Sequence, residues 1–209
     1  MDTKENILIS ALTLFANQGY DAVTVAQIAQ AVGIKAPSLY KHYESKQAIF
    51  EAILQEMDSR YEKQASALSL QGKDPAQDGQ VFAAVSPEKL TQMVLNLFSF
   101  FLHDPFVSRF RRLLTVEQFH RGELSRLYTK QYAEDPLFYQ AALLEQLISA
   151  GCLKSLNPRF LAVEFYSPIY FLLQLCDREP QKEPWAFEML RSHVENFQQQ
   201  YGISQEDKL

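Results

Sequence analysis

Apolar residues recur three and four positions apart along most of the chain, the period that puts them on one face of an α-helix. Ile7, Ala11, Leu14 and Phe15 form the first such stripe, predicting a helix from about Thr3 to Gln18 that Gly19 ends. An Asp2 to Glu5 capping box is expected to start it. Val25, Ile28, Ala29 and Val32 form a second, shorter stripe, and Leu39 with Tyr43 a third. Ile49, Ile53, Met57, Tyr61, Ala65 and Leu68 then predict one long helix from Ser45 to about Leu70. The polar stretch Gln71 to Gln80 holds Gly72, Pro75 and Gly79 and reads as a loop. Beyond it, Ser86-Pro87, Asp104-Pro105, Asp135-Pro136 and Asn157-Pro158 each set a capping side chain before a proline suited to the first helical turn, so four helix starts are expected. The fourth of these helices crosses Pro168, and a last one runs from about Pro184 to Tyr201. With no alternating Val/Thr-rich run, the fold class predicted is all-α.

The segment from Thr24 to Lys46, TVAQIAQAVGIKAPSLYKHYESK, is the most informative. Thr24 and Gln27 have the spacing of a capping box, with Val23 placed to pack on Ile28 across it. Gly33 permits the left-handed exit that ends this helix, and Pro37 suits the start of another, from about Ala36 to Tyr43. Two short helices joined by a glycine turn have the form of a DNA-reading helix-turn-helix. With Leu39 and Tyr43 inward, Lys35, Ala36, Ser38 and Lys41 face solvent and Tyr40 flanks them. Small residues permit close approach to a major groove, a serine hydroxyl bonds base edges or phosphate, and lysines neutralise phosphates. Tyr40, His42 and Lys46 suit contacts to the DNA backbone. A solvated surface is the competing reading of the three lysines.

This pattern resembles the tetracycline-repressor (TetR) family of bacterial regulators. The resemblance rests on Ile7, Ala11, Leu14, Phe15, Gly19, Tyr20, Thr24, Val25, Ile28, Ala29, Gly33, Ile34, Pro37, Ser38, Leu39, Tyr40, His42, Tyr43, Lys46 and Ile49, within about the first quarter of the chain. It implies a three-helix N-terminal DNA-binding domain, placed at residues 1–46, and a larger helical domain for ligand sensing and dimerisation at 47–209, joined by a connecting helix over 45–70. It also implies a homodimer that reads a palindromic operator in double-stranded DNA and leaves it when a small molecule binds. Carried over residue by residue, Thr24, Lys35, Ala36, Ser38, Tyr40, Lys41, His42 and Lys46 resemble the DNA-facing set. One departure is that no arginine precedes Arg60, so the commonest bidentate reader of guanine is missing from the motif.

Charge modifies this picture. The chain of 209 residues carries a formal net charge of −5, which opposes polyanion binding. Residues 1–46 are neutral, however, with Lys4, Lys35, Lys41 and Lys46 against Asp2, Glu5, Asp21 and Glu44. Phosphate attraction should therefore be moderate and weakened by salt. Cys152 and Cys176 form no metal-ligand or CxxC pattern, no secretory signal is evident, and the most apolar stretch, Phe160 to Cys176, is broken by Glu164, Pro168 and Gln174. A cytoplasmic protein without a membrane span is expected, its thiols buried and inert.

Twelve of the fifteen phenylalanines follow residue 97, together with Tyr128, Tyr132, Tyr139, Tyr166, Tyr170 and Trp185. Such a concentration is expected to line an apolar ligand cavity, with Phe98, Phe101, Phe119, Tyr128, Tyr166 and Tyr170 as its walls. Ordinary core packing is the competing reading at each position. Arg109, Arg111 and Arg112 beside His103 are expected on a solvated surface, with an anion site as the alternative. For dimerisation the apolar candidates are the helices from Pro136 to Ala150 and from Pro158 to Cys176.

No GxSxG, HExxH or glycine-rich phosphate loop is present, so no catalytic reading competes and neither cofactor nor metal is expected. Two rivals to a ligand-released repressor stay open: a small-molecule carrier with a vestigial helix-turn-helix, and a constitutive DNA-binding protein with a filled sensor domain.

Overall fold

A computed structural model describes residues 2–119 and 122–202. Among these residues there are helices and a lone antiparallel bridge between Leu153 and Gly202, and no strand. The helices are α1 (Thr3–Gln18), α2 (Val25–Val32), α3 (Ala36–Leu39), α4 (Lys46–Ala67), α5 (Pro75–Ala84), α6 (Pro87–His103), α7 (Pro105–Glu117), α8 (Gly122–Thr129), α9 (Asp135–Ser149), α10 (Pro158–Arg178) and α11 (Glu183–Tyr201). A π-helical turn, Lys130–Glu134, leads into α9, and a 3-10 turn, Pro180–Lys182, precedes α11. The all-α class is as predicted.

The chain divides into two compact units. One is discontinuous and joins Met1–Tyr61 to His103–Tyr128; the other joins Glu62–Leu102 to Thr129–Leu209. The units therefore do not follow a single cut at residue 46. In the first, Ile7, Ala11, Leu12 and Phe15 of α1 are fully buried, and α1 packs on α2 and on α7. Ile49, Ile53 and Met57 of α4 are buried as the stripe requires, and α7 contributes Phe106, Val107, Phe110, Leu113 and Leu114. In the second unit α6, α10 and α11 close over Leu95, Phe98, Leu172, Leu173, Ala186, Leu190 and Val194. A neighbouring cluster joins Leu144 of α9 to Leu161 and Ala162 of α10 and to Phe197 and Tyr201 of α11.

Several local expectations are corrected. Asp2 precedes α1 without a side-chain cap. The stretch read as a loop over 71–80 contains most of α5: Asp74 accepts from the amides of Ala76 and Gln77 at 3.0 and 3.1 Å, with Pro75 at the first helical position. Buried Asp78 then accepts from the amides of Gln71 and Gly72 and from the Tyr139 hydroxyl, at 2.7, 2.8 and 2.5 Å. Gly79 lets α5 approach α9, since a β-carbon there would lie 2.8 Å from Gln146 Cβ. Asp104 and Asn157 cap α7 and α10 as expected, and Ser86 Oγ accepts from the Lys89 amide before α6. Asp135, by contrast, is the first residue of α9 rather than its cap, because the π turn delivers the chain already helical. Arg111 is fully buried where a surface position is expected, while Arg112 is exposed. Cys176 is in the core and Cys152 half-buried. The charged tail after Gly202 lies outside the described residues.

Candidate nucleic-acid interface

The helix-turn-helix forms as its sequence dictates. The Gln27 amide donates to Thr24 Oγ1 at 3.3 Å, and the Thr24 amide donates to Gln27 Oε1 at 2.7 Å, completing the capping box of α2. Gly33 ends α2 in the left-handed region, with φ of 78° and ψ of 26°. Pro37 sits in the first turn of α3, which is shorter than the stretch to Tyr43 that was expected. Past Leu39 the bonds of Lys41 to Ser38 and of His42 to Leu39 span three residues, which tightens the backbone before Ser45 caps α4 through the Ala48 amide.

The side chains divide cleanly. Leu39 and Tyr43 are buried, while Thr24, Lys35, Tyr40, Lys41 and His42 are exposed and Ala36 and Ser38 half-buried. Tyr40 is 52% exposed. Tyr40, Lys41 and His42 also line an open groove of about 450 Å³ with Lys4, Glu51 and Gln55. Lys4 is absent from the predicted set, yet its ammonium lies 5.5 Å from the centre of the Tyr43 ring and adds a cation beside the turn. Nothing in sequence spacing signals that approach, since Lys4 and Tyr43 meet only through the tertiary fold. Burial, with Asp2 adding to it, raises the Tyr43 phenol above its ordinary value, so it stays neutral.

Lys46, expected to contact the DNA backbone, is engaged within the protein. Its ammonium donates to the carbonyls of Tyr20 and Val23, both at 2.9 Å, lies 3.5 Å from that of Asp21, and stands 4.4 Å from the centre of the Tyr20 ring. Three carbonyls converge there because the turn between α1 and α2 leaves them outside any helix. The Tyr20 hydroxyl donates to Gln47 Oε1 at 3.1 Å, and its ring meets Phe15 and Phe50 at 5.0 and 5.3 Å.

The six aromatic positions expected around one cavity are divided between the two units. Phe98 is a core residue, 1% exposed and edge-on to Phe187, with Phe101 packed against the same cluster. Tyr166 and Tyr170 stack on each other, Tyr132 of the π turn stacks on Tyr170, and the Tyr166 hydroxyl donates to the Tyr132 carbonyl at 2.9 Å. Half-buried Tyr128 and Phe119, which is 87% exposed, belong to the other unit. Tyr132, not among the six, joins the tyrosine stack through the π turn, which has no sequence signature here. No described helix is long and apolar enough to cross a membrane, and no described group of His, Cys, Asp and Glu is arranged to hold a metal ion.

A capped helix, a glycine turn and a short helix with an exposed polar side define the helix-turn-helix class of DNA-reading domains. Residues 7–53 match the family model for bacterial regulatory proteins of the tetR family. Over 48 residues the chain is 48% identical to the biofilm operon icaADBC HTH-type negative transcriptional regulator IcaR of Staphylococcus aureus, a match covering 23% of this chain and 26% of that protein. The fold extends the likeness to nearly the whole chain. A TetR-family regulator from Mesorhizobium loti superposes with a TM-score of 0.69 at 18% identity, covering 96% of this chain and 97% of the other. SmeT in complex with triclosan gives 0.67 at 17% identity, over 98% and 94%; SmeT is the repressor of the Stenotrophomonas maltophilia multidrug efflux pump SmeDEF. Within residues 7–53 the chain is thus similar to the TetR family of bacterial regulatory proteins, and over nearly its whole length it shares the fold of these solved regulators.

Proposed function

We propose that the protein is a homodimeric transcriptional repressor that reads a palindromic operator and is released from it by a small apolar or aromatic ligand. The observation that carries this reading is the capped helix-turn-helix presenting Thr24, Lys35, Tyr40, Lys41 and His42 to solvent, with Ala36 and Ser38 between them. Ala36 and Ser38 are small enough for bases to approach, and the surrounding cations and hydroxyls fix the register on phosphates. The names of IcaR and SmeT support repression rather than activation, and the SmeT complex supports control by a hydrophobic ligand.

Dimerisation through α9 and α10 is supported by what those helices leave uncovered. Phe138, Phe160, Val163 and Phe171 are 77, 58, 49 and 57% exposed. Val163, Ser167 and Phe171 repeat every four residues, so they share one face of α10, where a second copy would remove them from water. For the ligand we assign the tyrosine stack of Tyr132, Tyr166 and Tyr170, since π turns are frequent at functional sites. Phe101 stands as a further candidate wall.

Selection from random DNA duplexes tests the core of the proposal. The expected outcome is a near-palindromic site with half-site centres about one helical turn, or a multiple of it, apart. Recovery of no enriched sequence overturns it and favours a carrier. Thermal-shift screening followed by a DNA-release assay on each hit tests the ligand: hits that stabilise the protein yet leave DNA occupancy unchanged would sink ligand release.

A further inference from the structure

We propose that Glu117, at the end of α7, is a positioning residue for DNA reading: its buried carboxylate fixes the turn from which the helix-turn-helix starts. This rests on the function proposed above and names a residue outside the motif on which that function depends. Glu117 is 4% exposed, and its Oε1 accepts from the Tyr20 amide at 2.6 Å across 97 residues of sequence. Burying a carboxylate is costly unless hydrogen bonds compensate it. A carboxylate kept in such a place therefore points to something beyond packing, and its partner says what.

Tyr20 is the junction of the reading unit. Its amide is held by Glu117, its carbonyl by Lys46 at the start of α4, its hydroxyl by Gln47, and its ring by Phe15 of α1 and Phe50 of α4. Lys46 also holds the Val23 carbonyl, next to Thr24, the residue that caps α2. Moving the Tyr20 amide therefore moves the first residue of the motif. The preceding Gly19 adopts φ of +83°, and a β-carbon there would meet Glu117 Oε1 at 2.8 Å, so backbone and carboxylate are in direct register. The other end of α7 is anchored as well. Asp104 caps α7 through the Phe106 and Val107 amides and pairs with Arg60 of α4 at 2.7 Å, while the Arg60 guanidinium lies 4.8 Å from the centre of the Phe106 ring. Helix α7 is thus tied at one end to α4 and at the other to the turn before α2.

The experiment uses the full chain, the operator recovered by selection and a scrambled duplex of equal length. Glu117→Met keeps volume but removes the acceptor; Glu117→Gln keeps an acceptor without the charge. With each variant shown folded by circular dichroism, the ratio of specific to non-specific affinity should fall about tenfold or more in Glu117→Met, the scale of one charged hydrogen bond. Glu117→Gln should recover most of it. Hydrogen exchange at the Tyr20 amide should quicken in Glu117→Met and stay slow in Glu117→Gln. A wild-type ratio in folded Glu117→Met overturns the assignment, as does an equal loss in both variants. If Glu117→Met does not fold, the glutamine variant decides: a collapsed ratio there shows that charge rather than the acceptor matters, and sinks the role given to the amide contact. A wild-type protein without sequence preference takes down the proposed function itself, a result distinguishable from either.

Discussion

Lys46→Met separates a structural lysine from a DNA contact. In the wild type the ammonium makes two 2.9 Å bonds to carbonyls and stands over the Tyr20 ring. Tyr20 and Val23, which supply those carbonyls, are 4 and 1% exposed, so water replaces the lost donor poorly. Hydrogen bonds from a charged donor are worth about 1.5–3 kcal/mol each, but two bonds from one half-exposed group are not additive, and about 2–3 kcal/mol is the expected total. For a chain of this size that is roughly 5–10 °C in melting temperature. The companion variant is Lys41→Ala, whose exposed side chain faces outward. Operator affinity measured against salt should lose about one unit of slope per reading head in Lys41→Ala, about two for the proposed dimer, and keep the wild-type slope in Lys46→Met, since only a phosphate contact releases a counterion. Affinity itself is the weaker readout, because a loosened turn lowers it by either route. A Lys46→Met protein that melts like the wild type and loses as much slope as Lys41→Ala would refute the reasoning and return Lys46 to the DNA backbone.

Three other perturbations probe separate elements. Burial, and then the hydrogen bond to Asp78, raise the Tyr139 phenol far above the ordinary 10.0. The folded state keeps this proton while the unfolded chain releases it, so the stability it confers is complete below that pH and declines above it. Melting temperature followed from about pH 8 to 11 should fall less steeply in Tyr139→Phe, and parallel curves would exclude this origin. Paired substitutions Phe160→Asp and Phe171→Asp should convert the dimer to a monomer in sedimentation equilibrium and abolish binding to a two-half-site duplex; an unaltered dimer would place the interface elsewhere. Gly33→Ala meets no atom within 4 Å but must hold φ of +78°, so a loss of about 1–2 kcal/mol is expected from backbone strain alone, read by denaturant unfolding. No change would mean that the turn relaxes.

Much of what sequence specifies locally is legible. Thr24, Gln27 and Gly33 encode α2 through contacts within four residues of each cap, and the structure has each of them. The same logic marks the starts of α7 and α10 at Asp104 and Asn157. It fails where the same signal has another context. Asp135-Pro136 looks like a start, but the preceding π turn makes it the middle of a helical run. Asp74-Pro75 is the identical signal inside a stretch whose glycines and polar residues suggest a loop; what turns it into a helix is Asp78, buried against amides and Tyr139. That site requires α9, 61 residues away in sequence, and no local rule contains it. Lys46 fails for a related reason. Its place after the motif makes a phosphate contact natural, and only the fold of the turn before α2 reveals the carbonyls that claim it.

The inward turn of Lys46 bears on why the proposed dimer is needed. The motif has no arginine, and with Lys46 engaged by carbonyls its outward cations reduce to Lys35 and Lys41, with Lys4 beside the groove. Each phosphate neutralised contributes a modest, salt-dependent increment, and a chain of net charge −5 gains little from its overall field. One such reading head therefore has the electrostatics of a weak, non-specific binder. Two heads held at a fixed spacing differ in kind, because engagement of the first presents the second at high local concentration and multiplies affinity without any new contact. That gain exists only if the spacing is rigid and correct. A set-up with few cations thus places the burden of affinity on geometry, which is where a buried carboxylate fixing the Tyr20 turn, and phenylalanines left open on α9 and α10, have their physical reason.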